Sequence, residues 1–274
     1  MERLKYFFIK NRRIILIACI LLICSVAIAF GVYAQITNQG VKVPESERTD
    51  ENYEDLKNNF QDIFTNSINK EATANLNRDY EELLYTRYDI DDSKNGKFSI
   101  KAKIPGFRED TKTLKKINEE IYNTYANEIL KIANTATVYT TYNLDYVAYV
   151  NGNVISLIIM CKYKDGTKAQ RKIVQCYNYD IETDKILSIN DAINLKNLDK
   201  DDMQKKVTSD IKKINKQIKG ISDQGYNVYL RNEEDPMYKI DNTPNFFFGK
   251  NDYLYLVYSY GNDNYTSEID LVIF

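Results

Sequence analysis

Residues 14–34 are 21 consecutive positions without a charge, opened by Arg12-Arg13 and closed by the polar stretch Gln35-Ile36-Thr37-Asn38-Gln39. About 20 helical residues rising 1.5 Å each cover the roughly 30 Å hydrocarbon core of a bilayer, so the run predicts one transmembrane helix. Arg3, Lys5, Lys10, Arg12 and Arg13 precede it against Glu2 alone, whereas Lys42 and Arg48 follow it among Glu45, Glu47 and Asp50. The positively charged flank stays in the cytoplasm. Residues 1–13 are therefore expected inside the cell, and the bulk of the chain outside, facing the cell envelope. Processing offers two alternatives. Ala27-Ile28-Ala29 and Val32-Tyr33-Ala34 carry small residues where a signal peptidase reads them, and cleavage near Ala29 or Ala34 would release a secreted protein. The apolar run is longer than the roughly 7–15 residues of a removable signal, which favours the uncleaved anchor. Leu16-Ile17-Ala18-Cys19 spells a lipoprotein-type box, but the apolar stretch ahead of it is short. Cys19 and Cys24 read as small apolar packing residues.

Beyond the anchor the chain is long enough for one large domain, or two small ones sharing a core. Setting aside the five cationic and one anionic side chains before Ala34 leaves 32 basic against 38 acidic groups, a net charge near −6. Mild acidity with no basic block argues against nucleic acid as a partner and favours a cationic one. The chain contains no histidine. That removes Ser-His-Asp and Cys-His nucleophile activation, His-assisted zinc hydrolysis and imidazole acid–base schemes. A carboxylate-pair glycosidase survives the exclusion. Trp is absent as well, and the 23 Tyr read first as half-buried strand formers.

Residues 35–48 read as a stalk. Tyr53, Leu56, Phe60 and Ile63 recur on one face of a helix over about 49–64, and 66–85 is open between helix and irregular chain. The run Asp89-Ile90-Asp91-Asp92-Ser93-Lys94-Asn95-Gly96 imitates the start of a calcium loop. Counted from Asp91, however, its twelfth position is Ala102, so the bidentate carboxylate is missing. An Asn-Gly turn into a strand with Phe98, Ile100, Ala102 and Ile104 inward, ended by Pro105-Gly106, accounts for it better. Leu114, Ile117, Ile121, Tyr125, Ile129 and Ile132 stripe a helix over about 111–133. Strands near 137–150, 153–163 and 168–180 form an antiparallel meander through Asn151-Gly152 and Asp165-Gly166, both expected as type I′ turns, with 154–160 apolar enough to be central. A two-residue loop at Asp165-Gly166 sets Cys161 opposite Gln170 and Cys176 opposite Ile155, too far out of register to bridge, so both are expected as free thiols. Met203, Val207, Ile211, Ile214 and Ile218 stripe a helix over about 200–219, with Asp199, Asp201 and Asp202 at its positive end, Lys212, Lys213, Lys216 and Lys219 toward the other, and Gly220 as the left-handed cap. Residues 221–244 read as a mobile loop, and strands at 246–248, 253–259 and 267–274 close the chain.

The segment Asn178-Tyr179-Asp180-Ile181-Glu182-Thr183-Asp184-Lys185-Ile186-Leu187-Ser188-Ile189-Asn190-Asp191-Ala192-Ile193 resembles the strand-turn signature of the extracytoplasmic domain of RsiV-type lysozyme-sensing anti-sigma factors. The same paired domains accompany PdaC-type peptidoglycan deacetylases. Asp184 stands where that pattern has Gly. The resemblance runs over about 97–274 and includes Phe246, Phe248, Asp252, Leu254 and Gly261. Asp180 and Thr183 are expected to bond local backbone N–H groups, Asp184-Lys185 to turn the corner, and Asp191 to cap a short helix. Thirteen cytoplasmic residues cannot hold a sigma factor, and without His the deacetylase chemistry is absent, so only the outer module is implied.

The expected fold class is α+β: a transmembrane helix at 14–34, a stalk and juxtamembrane helical region at 35–88, and antiparallel sheets packed with amphipathic helices in subdomains at 89–180 and 181–274. The expected function is binding or sensing at the cell envelope, without catalysis and without a cofactor. Membrane lipid is the partner of 14–34, and a lysozyme-like muramidase or peptidoglycan is the ligand that the resemblance implies. No catalytic, cofactor or metal residues are assigned. A structural or assembly role through the 49–64 stripe is the alternative, followed by a carboxylate-based glycan hydrolase.

Overall fold

The computed structural model describes residues 83–108, 110–249 and 252–274, all within one compact unit, Thr49–Phe274. The apolar run at 14–34, the stalk and the 49–64 stripe lie outside the described residues. Among those described, no helix is long and apolar enough to cross a membrane.

The described chain is mixed α+β. Strands β1 (Leu84–Lys94), β2 (Phe98–Phe107), β3 (Thr140–Asn151), β4 (Val154–Asp165), β5 (Arg171–Asp180) and β6 (Lys185–Ile186) form a six-stranded sheet in that order. Strands β7 (Asn245–Phe248), β8 (Leu254–Tyr260) and β9 (Glu268–Ile273) form an antiparallel three-stranded sheet. Between β2 and β3 runs a helix in three parts, α1 (Lys112–Ile121), a π-helical turn (Tyr122–Ala126) and α2 (Asn127–Thr135). Helices α3 (Ile189–Lys196) and α4 (Lys200–Ser222) follow β6.

Alternation sorts these elements into four layers. Ile100, Ala102, Leu144, Ile155, Leu157, Ile159 and Tyr177 face the α1–α2 stripe in one core. Val147, Tyr149, Ile158, Met160 and Val174, on the opposite face of the large sheet, meet Phe247, Tyr255, Val257 and Leu271 of the small one. The other face of the small sheet, with Phe246, Phe248, Leu256 and Val272, packs on Met203, Val207 and Ile211 of α4 and on Ala192 of α3. The order is helix, sheet, sheet, helix, and β4 is covered on both faces because a strand apolar at every position can be satisfied only in the middle. The stripe from Leu114 to Ile132 is buried as expected. Its successive four-residue steps, Ile117-Ile121-Tyr125-Ile129, drift around an ideal α-helix at 3.6 residues per turn, and the π turn takes up that drift.

Several local expectations are corrected. Pro105-Gly106 do not end β2, which continues to Phe107. Edge strand β1 begins at Leu84, in the stretch left open between helix and irregular chain, and includes Asp89–Lys94, while the Asn95-Gly96 turn follows as expected, with Gly96 at φ 72°. Asn151 pairs with Val154, so the hairpin loop is Gly152-Asn153 with Gly152 at φ 60°, a Gly-first type II′ arrangement rather than I′. Asp165 stays in β4 opposite Thr140, and the loop to β5 is longer than two residues. Cys161 therefore lies opposite Ile173, and Cys176 opposite Ile158. The two sulfurs sit on opposite faces of the sheet, and both are free. Burial pushes the Cys161 thiol up to about 12 and raises Cys176 as well. Helix α4 runs through Gly220 to Ser222, and the left-handed glycine is Gly225 at φ 90°. Residues 221–244 are not loose throughout, since Arg231, Tyr238 and Ile240 are buried.

Candidate functional site

Strands β2 and β3 are the neighbours in the large sheet that run parallel, and they pair only from Phe98↔Thr140 to Ala102↔Leu144. Beyond that point both strands continue but no longer bond to each other, and the backbone groups along the split need other partners. Asn118 of α1 serves the β2 side: its Oδ1 accepts from Phe107 N–H at 2.8 Å, and its Nδ2 donates to Phe107 C=O at 2.7 Å. Pro105 has the same strand parity as Phe107, so the N–H that proline lacks is one the split would leave unmatched. On the β3 side, the narrow pair closing the Gly152-Asn153 hairpin fixes the alternation and turns the Tyr146 amide toward β2. The Tyr146 N–H donates instead to Oδ1 of Asp145, at 2.9 Å.

The split opens into a groove of about 270 Å³ toward the β1 edge of the sheet, on the same face as Val147 and Met160, and its lining includes Asp89, Asp91, Lys101, Lys103, Asp145 and Lys162. Register explains the lining. Asp89 lies opposite Lys103, and Asp145 opposite Met160; Asp91 lies opposite Lys101, Lys101 opposite Asn143, and Asn143 opposite Lys162. Two rows thus cross β1 to β4, with carboxylates on β1 and β3 and ammonium groups on β2 and β4. Lys101 Nζ reaches Asp91 Oδ2 at 3.9 Å. Asp145 is half-buried, and its carboxyl is held above the usual range. Loss of hydration is the main cause and Asp89 adds to it, while the Tyr146 N–H and Lys103 oppose it.

The Asn178–Ile193 signature has a different role. The Asp180 carboxylate accepts from the N–H of Glu182 and Thr183 at 2.9 and 3.3 Å. Asp184 adopts φ 50°, the left-handed region a Gly would fill and an Asp tolerates. Thr111 and Tyr179 hydroxyls donate to its carboxylate at 2.7 and 3.0 Å, and Thr113 donates to its carbonyl at 3.0 Å. Asp191 is the third residue of a capping box whose N-cap is Ser188, rather than the cap itself. These groups hold a turn against the start of α1 and cap the start of α3, away from the groove.

Sequence reasoning set aside Asp89 and Asp91 with the calcium pattern and did not single out Asp145, Lys101, Lys103 or Lys162. The alternation that buries Ile100, Ala102, Leu144 and Tyr146 assigns these charged neighbours to one common face. The missing information was which strands are adjacent.

No family model matches the sequence, and no curated protein matches it. Among solved structures, a DUF3298 family protein from Pseudomonas aeruginosa PAO1 is similar at 14% identity, over 63% of this chain and 78% of its own, with a TM-score of 0.37. A DUF3298 family member from Bacteroides fragilis NCTC 9343 is similar at 12% identity, over 64% of this chain and 80% of its own, with a TM-score of 0.38.

Proposed function

We propose that this chain is a membrane-anchored binding domain of the cell envelope that holds a polar ligand bearing both charge signs in the groove at the β2–β3 split, and that the ligand is a peptidoglycan fragment. The observation that carries this reading is Asp145. Its structural task is to accept the Tyr146 N–H, which an Asn Oδ1 would do equally well without holding a carboxylate in a half-buried position. A charge retained where a neutral isostere would serve the fold better points to a partner for that charge. The groove offers three carboxylates and three lysines, matching the amines and carboxylates of a wall peptide. A strongly cationic muramidase, the other ligand the sequence resemblance implies, gains less from a charge-balanced groove than from an acidic patch. Binding is favoured over hydrolysis because Asp89 and Asp145 stand on opposite sides of β2, and Lys103, opposite Asp89 in the ladder, comes from the strand between them. With the anchor expected from the sequence at 14–34, the groove would face the outside of the cell.

The test is Asp145→Asn in the compact unit, residues 49–274. A carboxyl whose folded pKa is raised contributes stability below its unfolded value near 4, and that contribution is lost as the pH rises through the folded value. The variant should therefore unfold like the wild type at pH 3 and at a higher urea concentration at pH 7. In calorimetry with a disaccharide-pentapeptide it should lose about 10- to 100-fold in affinity, the worth of a charged hydrogen bond. Equal affinities, or no binding by the wild type, would contradict the proposal.

A further inference from the structure

Helix α4 extends past the core. Asn215 Oδ1 accepts from the Arg231 N–H at 3.1 Å, and Asn215 Nδ2 donates to Glu233 at 2.9 Å, so the chain is tied back to Asn215 sixteen positions later, and Ile218 is the last buried residue of α4. The seven residues that follow Asn215, ending at Ser222, rise about 10 Å, and none of residues 219–230 is buried. The result is an arm clasped at its base.

Two kinds of residue decorate it. Lys205, Lys212, Lys216 and Lys219 recur at spacings of seven, four and three, a stripe opposite the buried Met203, Val207 and Ile211, and Lys213 lies beside it. Among the described residues no carboxylate pairs with Lys212, Lys213, Lys216 or Lys219. Lysines near a helix C-terminus also complement its dipole, but that does not account for the apolar groups beside them. Ile221, Tyr226 and Leu230 are 43%, 65% and 48% exposed. Cationic side chains around exposed aliphatic groups and a tyrosine match the chemistry of an anionic bilayer surface: headgroup phosphates for the lysines, the interfacial zone for Tyr226, and the acyl boundary for the aliphatics.

We propose that the 212–230 arm docks on an anionic lipid surface. Charge complementarity selects that occupant, because the arm is basic on a domain whose net charge is acidic. A tether elsewhere in the chain would bring the whole domain near a membrane, whereas this proposal specifies which face rests on it.

The chain has no Trp, so Tyr226→Trp supplies a single reporter at an exposed position. In the full chain reconstituted in nanodiscs containing phosphatidylglycerol, its emission should move to shorter wavelength and be quenched by brominated acyl chains, and both effects should weaken as salt is added. Tyr122→Trp, on the opposite outer layer, should show neither. Replacing Lys212, Lys213, Lys216 and Lys219 by Gln should lower the docking equilibrium constant by roughly 600-fold, at about fivefold per lysine. Unchanged Tyr226→Trp emission in anionic discs, an equal shift in purely phosphatidylcholine discs, or an equal response from Tyr122→Trp would overturn the proposal.

Discussion

Arg231→Met should lower the stability of the compact unit by about 3–5 kcal/mol, the cost of leaving a buried carboxylate without its cation. The Arg231 side chain is 2% exposed and that of Asp270 is 7% exposed. Arg231 Nε and Nη2 donate to the two oxygens of Asp270 at 3.0 and 2.9 Å, and Nη1 donates to the Tyr229 carbonyl at 2.7 Å. Glu268 pairs with the same guanidinium, and the Tyr260 hydroxyl donates to Asp270. The guanidinium also lies 4.3 Å from the Tyr260 ring centroid, with Tyr229 stacked on that ring. One side chain therefore fastens the segment returning from α4 to β8 and β9. For a unit of this size the loss corresponds to a fall in melting temperature of roughly 6–20 °C. Asp270→Leu combined with Arg231→Met should lose less than the two single variants added together, since removing both partners leaves no unpaired charge. A single-variant loss below about 1 kcal/mol, the scale of a surface pair, would show that the clasp is not buried in solution.

Asn118→Leu should cost about 2–4 kcal/mol, because it strips partners from both the N–H and the C=O of Phe107 in a buried site. Leucine is close in size, so packing is nearly conserved and the loss reports the backbone groups. Asn118→Asp should also destabilise, since a carboxylate can accept from the Phe107 N–H but cannot donate to its carbonyl. If Asn118→Leu unfolds in urea like the wild type, then β2 has a partner along the split other than α1.

Elements defined by their own residues were legible in the sequence. The Leu114–Ile132 and Met203–Ile218 stripes, the apolar run of β4, and the turns at Gly96 and Gly152 all declare themselves through local periodicity or a left-handed glycine. What was misjudged depends on distant chain. The β4–β5 loop was set too short because Ala169 and Gln170 bond to Asp263 and Ser267, contacts that no local pattern reports. Pro105 was taken as a strand terminator because proline's missing N–H matters only where a neighbour would use it, and the split removes that neighbour. Residues 221–244 were taken as mobile because their composition is loop-like, while Arg231 secures them through partners some forty residues away. The groove has the same cause: its charged residues come from four strands, and only the parallel placement of β2 beside β3 brings Lys103 between Asp89 and Asp145.

That placement is what hydrogen exchange can interrogate directly. With a disaccharide-pentapeptide bound, amides of β1 around Asp89–Asp91, of β2 around Lys101–Lys103 and of β3 around Asn143–Tyr146 should exchange more slowly, with the Tyr146 amide beside Asp145 among them. Protection confined to the three-stranded sheet or to α4, with the split strands exchanging as in the free protein, would contradict the assignment of the groove as the binding site.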